Sequence, residues 1–279
     1  KSDSEIPVNP LLFEFGSGDD ILPVIERLFI YPVGTKSLIN GQNKIKKLSV
    51  SGGHGNYYIS RENEIRISGN AGFGIKSYDL LNDSYNRCAV YSIELRIDSV
   101  TLFKYVMDNF SFGETRYVNS HIDYETYQRE RTYIERTFLL PNDKLSVYEN
   151  VVNRGIFNFE EGKSYHVEIE AADIHNNRSL LSFTVLGQKA EGAMIQLPLK
   201  KEQSVMPYNK ANRFTADNIT VSIPTGALYD TLYFNYKRDD GTKEMFSDVH
   251  YVHDRFTPLH KPFNLSIKPH TIPEGKESK

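Results

Sequence analysis

Tryptophan is absent from this chain of 279 residues, methionine occurs four times and cysteine occurs once. The single cysteine, Cys88, cannot form a disulfide within the chain, which fits either a reducing compartment or an envelope protein that does not depend on disulfides. No histidine or lysine adjoins Cys88 to activate it, and the next residues, 89–91, begin a strand-like run. We therefore expect Cys88 to be a buried, unreactive thiol.

Long apolar runs and blocks of basic residues are also missing. A membrane-spanning helix needs about 20 consecutive apolar residues, and no run approaches that length, so we do not expect the chain to span a membrane. The 33 basic and 36 acidic residues are scattered and give a formal net charge of −3. Without a basic block that could neutralise a row of phosphates, nucleic acid is not an expected partner.

Aromatic residues are abundant instead, with 18 tyrosines and 16 phenylalanines. The segment VYSIELRID places Ile93, Leu95 and Ile97 on one face and polar residues on the other, which is the pattern of a half-buried strand. YHVEIEA, LLSFTV and NITVSIP repeat the pattern, and turn signals separate such segments by about 8–12 residues. The sequence therefore predicts an all-β protein with two tandem immunoglobulin-like β-sandwich domains.

The predicted organisation has four parts. Asn9-Pro10 and the apolar residues after it are typical of the end of a domain, so residues 1–18 are expected to be the tail of an upstream domain and a linker. Residues 19–188 are predicted to form the first immunoglobulin-like sandwich, with an inserted loop or helix near 110–135. Residues 189–270 are the second predicted sandwich, and residues 271–279 are a predicted linker to a further segment.

One motif has the spacing of a zinc site. HYVHD contains His250, His253 and Asp254, and both His-x-x-x-Asp and His-x-x-His occur in zinc proteins. A zinc site needs at least one further ligand, and the β-branched and aromatic neighbours favour a strand or loop rather than a helix. We therefore predict ordinary histidines and no metal or catalytic residues, and a hydrolase using these three side chains remains a distant alternative.

Glycine-rich and acidic stretches suggest ligands less directly. Gly69, Gly72 and Gly74 do not precede a helix, so we expect a sharp strand connection with positive φ rather than a phosphate cradle. Two acidic turns raise a calcium hypothesis, although Asp and Asn also occupy turns by bonding their own backbone. The turn residues concerned are Asp79, Asp83 and Asn86, and Asp173, Asn176 and Asn177.

The segment FSFGETRYVNSHIDYETY, from Phe110 to Tyr127, interleaves aromatic and charged residues. Such side chains form interaction and sugar-stacking surfaces, and they also pack long loops onto a core. The predicted interaction surface consists of Arg116, His121, Asp123 and Tyr124. A helix within residues 120–138, with Ser120 as its N-cap, is the one helical candidate.

Several segments together resemble the region that follows the catalytic domain in lysostaphin-like (LytM-type) envelope metallopeptidases of Gram-negative bacteria. They are PVNPLLFEF, ILPVIERLFIYPVG, YDLLNDSYNRCAVYSIELRIDS, FSFGETRYVNSHIDY and HVEIEAADIHNNRSLLSFTV. The resemblance implies that residues 1–15 are the exit from a peptidase domain, in which the family holds zinc through His-x-x-x-Asp and His-x-His motifs. This chain contains no His-x-His, so we expect no zinc, no cofactor and no catalytic residue here, and zinc only in the upstream peptidase domain.

The second half carries a weaker resemblance. NITVSIPTGALYDTLYF, followed by FTPLHKPFNLSIKP, is similar to the sandwich domain shared by zonula-occludens proteins and netrin receptors. This resemblance implies a second sandwich from about residue 190 to residue 269.

The resemblances imply an exported, periplasmic or cell-envelope protein that is not itself an enzyme. We expect an accessory arm that positions, docks or gates a peptidoglycan metallopeptidase. Its expected partners are the upstream peptidase domain in cis and peptidoglycan or envelope proteins. The alternative is a carbohydrate-binding, cell-wall-binding or adhesin-type module that acts through the aromatic surface between Phe110 and Tyr127.

Overall fold

A computed structural model describes residues 7–13, 18–109, 111–189, 204–242, 244–272 and 275. The chain divides into two compact units: unit 1 is Lys1–Leu139 with Lys144–Leu197, and unit 2 is Leu140–Asp143 with Pro198–Lys279. Most regular structure in both units is β, which confirms the all-β prediction. Much of the predicted tail and of the predicted terminal linker, like Phe110, lies outside the described residues.

Unit 1 is built on one extended set of hydrogen-bonded strands. Eight of them follow the order β11-β9-β8-β13-β14-β6-β1-β3, and the others attach at the sides. The strands are β1 (Val24–Pro32), β2 (Leu38–Ile39), β3 (Lys46–Ser49), β4 (Ser51–Gly53), β5 (Asn56–Tyr58), β6 (Ile65–Leu80), β7 (Arg87–Cys88), β8 (Ser92–Ile97), β9 (Val100–Val106), β10 (Glu135–Arg136), β11 (Tyr148–Val151), β12 (Phe157–Phe159), β13 (Ser164–Ala172) and β14 (Arg178–Gly187).

Strand β6 joins the two halves of this arrangement. Its first residues, from Ile65 to Ile67, run parallel to β14, while its later residues pair antiparallel with β1, β10 and β12. The two halves face each other across one apolar core, where the rings of Phe73 in β6 and Phe183 in β14 lie 5.6 Å apart. Burial of both inner faces is compatible with a β-sandwich.

The period-two patterns are confirmed as half-buried strands. In β8 the buried residues are Ile93, Leu95 and Ile97, and the side chains between them are half-buried. The same alternation occurs along β13 and β14, which pair over their whole length. Period-two burial is the signal that the sequence carries most clearly, because each strand must cover the core with one face only.

The glycine-rich stretch is not the predicted strand connection. Gly69, Gly72 and Gly74 all lie inside the continuous strand β6, and of these three only Gly69 has a positive φ, of 76°. The other two leave space on the strand surface: a Cβ at Gly72 would lie 2.4 Å from the ring of Phe138, and one at Gly74 would lie 3.0 Å from the carbonyl of Glu135. The absent side chains allow residues 134–138 to pack directly on β6.

The predicted helix over residues 120–138 is wrong in extent and cap. The structure has α1 (Val118–His121) and α2 (Tyr124–Glu130), and the N-cap of α2 is Asp123 rather than Ser120. The chain after Glu130 becomes extended and adds β10 to β6. Short 3-10 helices occur at Pro10–Leu12, Phe112–Tyr117 and Asn153–Gly155. In the described ranges, no helix has the length and apolarity needed to cross a bilayer.

The expectation that Cys88 is buried is also wrong. It is half-buried rather than buried, because it lies in the two-residue strand β7 and pairs with Asp79 near the end of β6. The strand-like run expected directly after it begins only at Ser92, in β8.

Unit 2 has a smaller apolar core, formed by Met206, Ile219, Val221, Ile223, Ala227, Leu228 and Phe234. The alternation predicted for NITVSIP is confirmed, since Ile219, Val221 and Ile223 are buried in one strand. The strands pair as β15-β18, β16-β17-β21 and β19-β20. They are β15 (Ser204–Met206), β16 (Asn212–Ala216), β17 (Ile219–Ile223), β18 (Leu232–Phe234), β19 (Tyr236–Asp239), β20 (Val249–Val252) and β21 (Asn264–Ile267).

The close approach at Gly72 predicts the effect of a single methyl group. Gly72→Ala should lower the free energy of unfolding by about 1–3 kcal/mol, because the new Cβ overlaps the Phe138 ring and one of the two segments must move. Urea denaturation monitored by circular dichroism measures the change.

Gly53→Ala is the matched control, because nothing lies within 4 Å of a Cβ at Gly53 and its φ is not positive. It should change stability by less than about 0.5 kcal/mol. In a Phe138→Ala background the cost of Gly72→Ala should shrink, since the overlapping ring is gone. An equal cost with and without the Phe138 ring would show that this contact is not what excludes a side chain at Gly72.

Candidate functional site

The predicted interaction segment lies on the β6 half of unit 1 and begins with a 3-10 helix. Glu114 fixes the start of this helix, because its Oε2 accepts the backbone N–H of Ser111 at 2.9 Å and the hydroxyl of Ser146 at 3.1 Å. The segment then passes through α1 and α2 and returns to β6 as β10. Between these elements it brings together a cluster of polar side chains, which we call the buried polar network: Tyr31, Ser77, Tyr105, His121, Asp123, Glu135, Arg136 and Tyr148.

Asp123 holds one end of the buried polar network. Its Oδ1 accepts the backbone N–H of Thr126 at 3.0 Å, which caps α2, and its Oδ2 accepts the hydroxyl of Tyr31 at 2.9 Å. Arg136 lies 3.8 Å from the same carboxylate and donates to the carbonyl of Ser120 at 3.2 Å. Only 2% of Asp123 is exposed, so its charge is balanced inside the protein.

His121 is enclosed in the same cluster. Its ring packs edge-on against Tyr105, with centroids 4.7 Å apart, and its Nδ1 lies 3.2 Å from the hydroxyl of Tyr148. Its Nε2 is buried without a hydrogen-bond partner. Burial, together with a smaller effect of the nearby Arg136 cation, lowers the pKa of His121 to about 4. The imidazole is therefore neutral at physiological pH.

Glu135 completes the buried polar network from β10. Its Oε1 accepts the hydroxyl of Tyr105 at 2.9 Å, and its Oε2 lies 3.1 Å from the hydroxyl of Ser77. Burial raises the pKa of Glu135 to about 7, and the two hydroxyl contacts only partly offset that effect. A carboxyl group with this pKa is partly protonated at neutral pH, and here it is buried in the protein.

Two residues of the predicted interaction surface, His121 and Asp123, do not lie at the surface. Both are buried, because Asp123 caps a helix and His121 fills the space beside Tyr105. Arg116 is exposed and Tyr124 is half-buried, and their role in an interface stays a prediction. No pattern in the sequence pointed to Glu135, which pairs with Ile75 in β6 because the helix ends at Glu130 and the chain continues as β10.

The outer side of the segment carries aromatic rings and cations. Phe112 is 79% exposed and Tyr133 is 56% exposed. The rings of Tyr127 and Tyr133 lie 4.5 Å apart, and the guanidinium of Arg131 lies 5.6 Å from the Tyr127 centroid. Tyrosine and arginine side chains in this arrangement are typical of protein interfaces.

A second surface feature of unit 1 is an open groove of about 750 Å³. Tyr58, which is 54% exposed, borders it together with polar and charged side chains. An aromatic face beside hydrogen-bonding groups suits the stacking of a sugar ring. The polar and charged residues of the groove are Ser60, Arg61, Glu62, Asn63, Glu64, His166, Ser182 and Thr184.

The HYVHD motif lies in unit 2, where its two histidines lie within hydrogen-bond distance of neighbouring hydroxyl groups. Nδ1 of His250 lies 2.8 Å from the hydroxyl of Tyr236, and Nε2 of His253 lies 3.0 Å from the hydroxyl of Thr257. Among the described residues, these histidines do not join Asp254 in a group of three converging metal-binding side chains. Such a group occurs in unit 1, at Asp19, Asp173 and His175.

Comparison with models of known protein families gives a match in the second half of the chain. A family model described as a Zu5-like domain matches residues 203–279, which is less than half of the chain. The match supports the resemblance of the second half, and it does not extend to the peptidase resemblance of the first half. A search of curated proteins and a search of solved structures each found no match.

The raised pKa of Glu135 predicts how stability depends on pH. The contribution of Glu135 to the free energy of unfolding is complete below pH 4.5, where the carboxyl is protonated in the folded and the unfolded states. It is lost as the pH rises toward 7. Glu135→Gln keeps a neutral group in place at every pH. The free energy of unfolding of the variant, relative to that of the wild type, should therefore rise by about 3 kcal/mol as the pH is raised from 4.5 to above 7. Urea denaturation across this range measures the difference.

Glu125→Gln is the control, because Glu125 lies on the exposed side of α2 and pairs there with Arg129. It removes the same charge and should leave the pH profile unchanged. The lowered pKa of His121 has the opposite effect on the pH dependence, because it makes the protein less stable as the pH falls from 6.5 toward 4. This effect is common to the wild type and both variants, so it cancels in the comparison. A difference between wild type and Glu135→Gln that does not vary with pH would contradict the burial of an ionisable Glu135.

Proposed function

We propose that this chain is a non-catalytic accessory arm of a cell-envelope peptidoglycan metallopeptidase, which it positions, docks or gates. The peptidase domain would precede it in the same polypeptide and would hold the zinc. The chain itself would act in the periplasm through protein contacts. The proposal extends the resemblance of the first half to LytM-type enzymes.

The observation that carries the proposal is the division of the segment between residues 111 and 138 into two sides. Within this segment, the carboxylates of Asp123 and Glu135 and the imidazole of His121 are buried and contact neighbouring side chains. The outer side presents Arg116, Tyr124 and the Tyr127–Tyr133 ring pair. A rigid support with an aromatic and cationic outer surface suits binding better than catalysis.

The proposal includes a finer description of the fold. We infer an immunoglobulin-like sandwich for residues 19–188 and a second sandwich for residues 189–270. The shared core beneath the two halves of unit 1 supports the first, and the Zu5-like match supports the second. Tandem sandwiches without an active site commonly serve as spacers and docking modules, because their ends and faces vary without loss of the core.

The alternative function is a carbohydrate-binding or adhesin-type module. The open groove at Tyr58 favours it, since an exposed ring stands there beside Arg61, Asn63 and His166. This location differs from the aromatic surface at Phe110 to Tyr127 that the sequence suggested. The two candidate functions therefore predict binding at different surfaces of unit 1.

Two double variants with identical chemical changes separate these functions. Arg116→Ala with Tyr124→Ala alters the outer side of the segment, and Arg61→Ala with Tyr58→Ala alters the groove. If the chain is an accessory arm, the first pair should weaken binding to the purified peptidase domain by about 5–30-fold, which corresponds to roughly 1–2 kcal/mol, and the second should not. Titration calorimetry with each double variant measures both affinities.

Each pair serves as the control for the other, and thermal melts verify that both variants fold. Glycan fragments of peptidoglycan are titrated in parallel. Tight glycan binding that only the groove variant abolishes, with no affinity for the peptidase domain, would establish the alternative. Release of soluble muropeptides from purified peptidoglycan by this chain alone would contradict a non-catalytic role.

A further inference from the structure

Three aspartates that are distant in the sequence come close together at one end of unit 1. Asp19 precedes β1, Asp79 lies near the end of β6, and Asp173 directly follows β13. The three segments are tied together by side-chain amides: Asn82 donates to the carbonyl of Gly18 at 3.1 Å, and Asn177 donates to the carbonyl of Asp19 at 3.0 Å. We call Asp19, Asp79, Asp173 and His175 the acidic cluster.

Three atoms of the acidic cluster that could coordinate a metal ion lie near one another. One carboxylate oxygen each from Asp19 and Asp173 and one ring nitrogen of His175 all lie within 4.8 Å of one another. Ligands that surround a calcium ion at about 2.4 Å are separated by at most twice that distance. This spacing is compatible with one shared ion, with water completing the shell on the side where His175 is exposed.

Two buried oxygens of the acidic cluster lack any hydrogen-bond donor. They are Oδ2 of Asp19 and Oδ1 of Asp79, and only 4% of the Asp79 residue is exposed. By contrast, Asp19 Oδ1 accepts the backbone N–H groups of Ile21 and Asn82. The Asp173 carboxylate accepts the backbone N–H and the side-chain amide of Asn177. Buried carboxylate oxygens without donors are rare, because each loses its hydration with no replacement.

The charges of the acidic cluster also lack a counter-charge. Among the described residues, no lysine or arginine forms an ion pair with Asp19, Asp79 or Asp173. The Asp79 carboxylate lies close enough to Asp173, Asp19 and His175 to interact with them electrostatically. Three carboxylates at one point repel one another unless a cation or a proton intervenes.

We propose that the acidic cluster is a calcium site, with Asp19 and Asp173 as direct ligands and Asp79 as the buried carboxylate that completes the negative charge. Calcium fits better than a softer metal, because the buried donors are all carboxylate oxygens and the one nitrogen is at the exposed rim. A bound ion would link the start of β1, the end of β6 and the turn between β13 and β14. The segments that resemble LytM-type enzymes include Asp79, Asp173 and His175, but the resemblance assigns them no metal, and the Zu5-like match at residues 203–279 does not cover them.

The test measures calcium binding and thermal stability of the whole chain. Calcium at about 10 mM, compared with EDTA at matched ionic strength, should raise the melting temperature by roughly 5–10 °C if it lies about 100-fold above Kd. Calorimetry should find one calcium ion per chain. Magnesium should have a smaller effect, because it demands a tighter octahedral shell.

Asp79→Asn and Asp19→Asn should each abolish the calcium-dependent shift. In EDTA these variants should melt at or above the wild-type temperature, because each removes a negative charge from a repulsive cluster. Two variants keep the test valid if one of them fails to fold. Asp83→Asn is the matched control: Asp83 is exposed in the turn after β6 with a φ of 60°, which asparagine tolerates, and the calcium response should be unchanged.

The proposal fails if the wild type shows no calcium-dependent shift and binds no calcium in calorimetry. It also fails if Asp19→Asn and Asp79→Asn respond to calcium as the wild type does, because the ion would then bind elsewhere. A response to zinc alone that is lost in His175→Ala would overturn the assignment to calcium.

Discussion

Strand β6 is the element on which the other features of unit 1 depend. Its start pairs with β14 and its later part pairs with β1, so the same strand closes the core from both halves. Gly72 and Gly74 in its middle give room for residues 134–138, which set Glu135 opposite Ile75. Its end carries Asp79 into the acidic cluster. One strand thus positions the core, the support of the outer surface and the proposed calcium site.

The sequence predicts the strands of this protein better than the connections between them. The alternation in β8, β13, β14 and β17 is local, and burial of one face is enough to produce it. The segment between residues 111 and 138 follows a different logic, because its path is decided by what it packs against. Asp123 becomes a helix cap and the chain leaves the helix at Glu130 to meet β6, which no local pattern announces.

The polar sites depend still more on distant residues. The sequence analysis placed His121 and Asp123 in an interaction surface, yet Tyr105 packs against His121 and Tyr31 donates to Asp123 inside the protein. The acidic turns at Asp79 and Asp173 did raise the question of calcium. The partner that joins them, Asp19, stands in a polar stretch near the start of the chain and is brought close only by the fold.

The proposed role of the chain rests on the contrast between a buried polar network, which holds the segment in shape, and an outer side that presents aromatic and cationic side chains at the surface. Hydrogen exchange with mass spectrometry, in the presence and absence of the purified peptidase domain, tests this contrast most directly. If the outer side binds the peptidase domain, exchange should slow within residues 111–133 and not at the groove near Tyr58. Unchanged exchange throughout residues 111–133 in a saturated complex would contradict it.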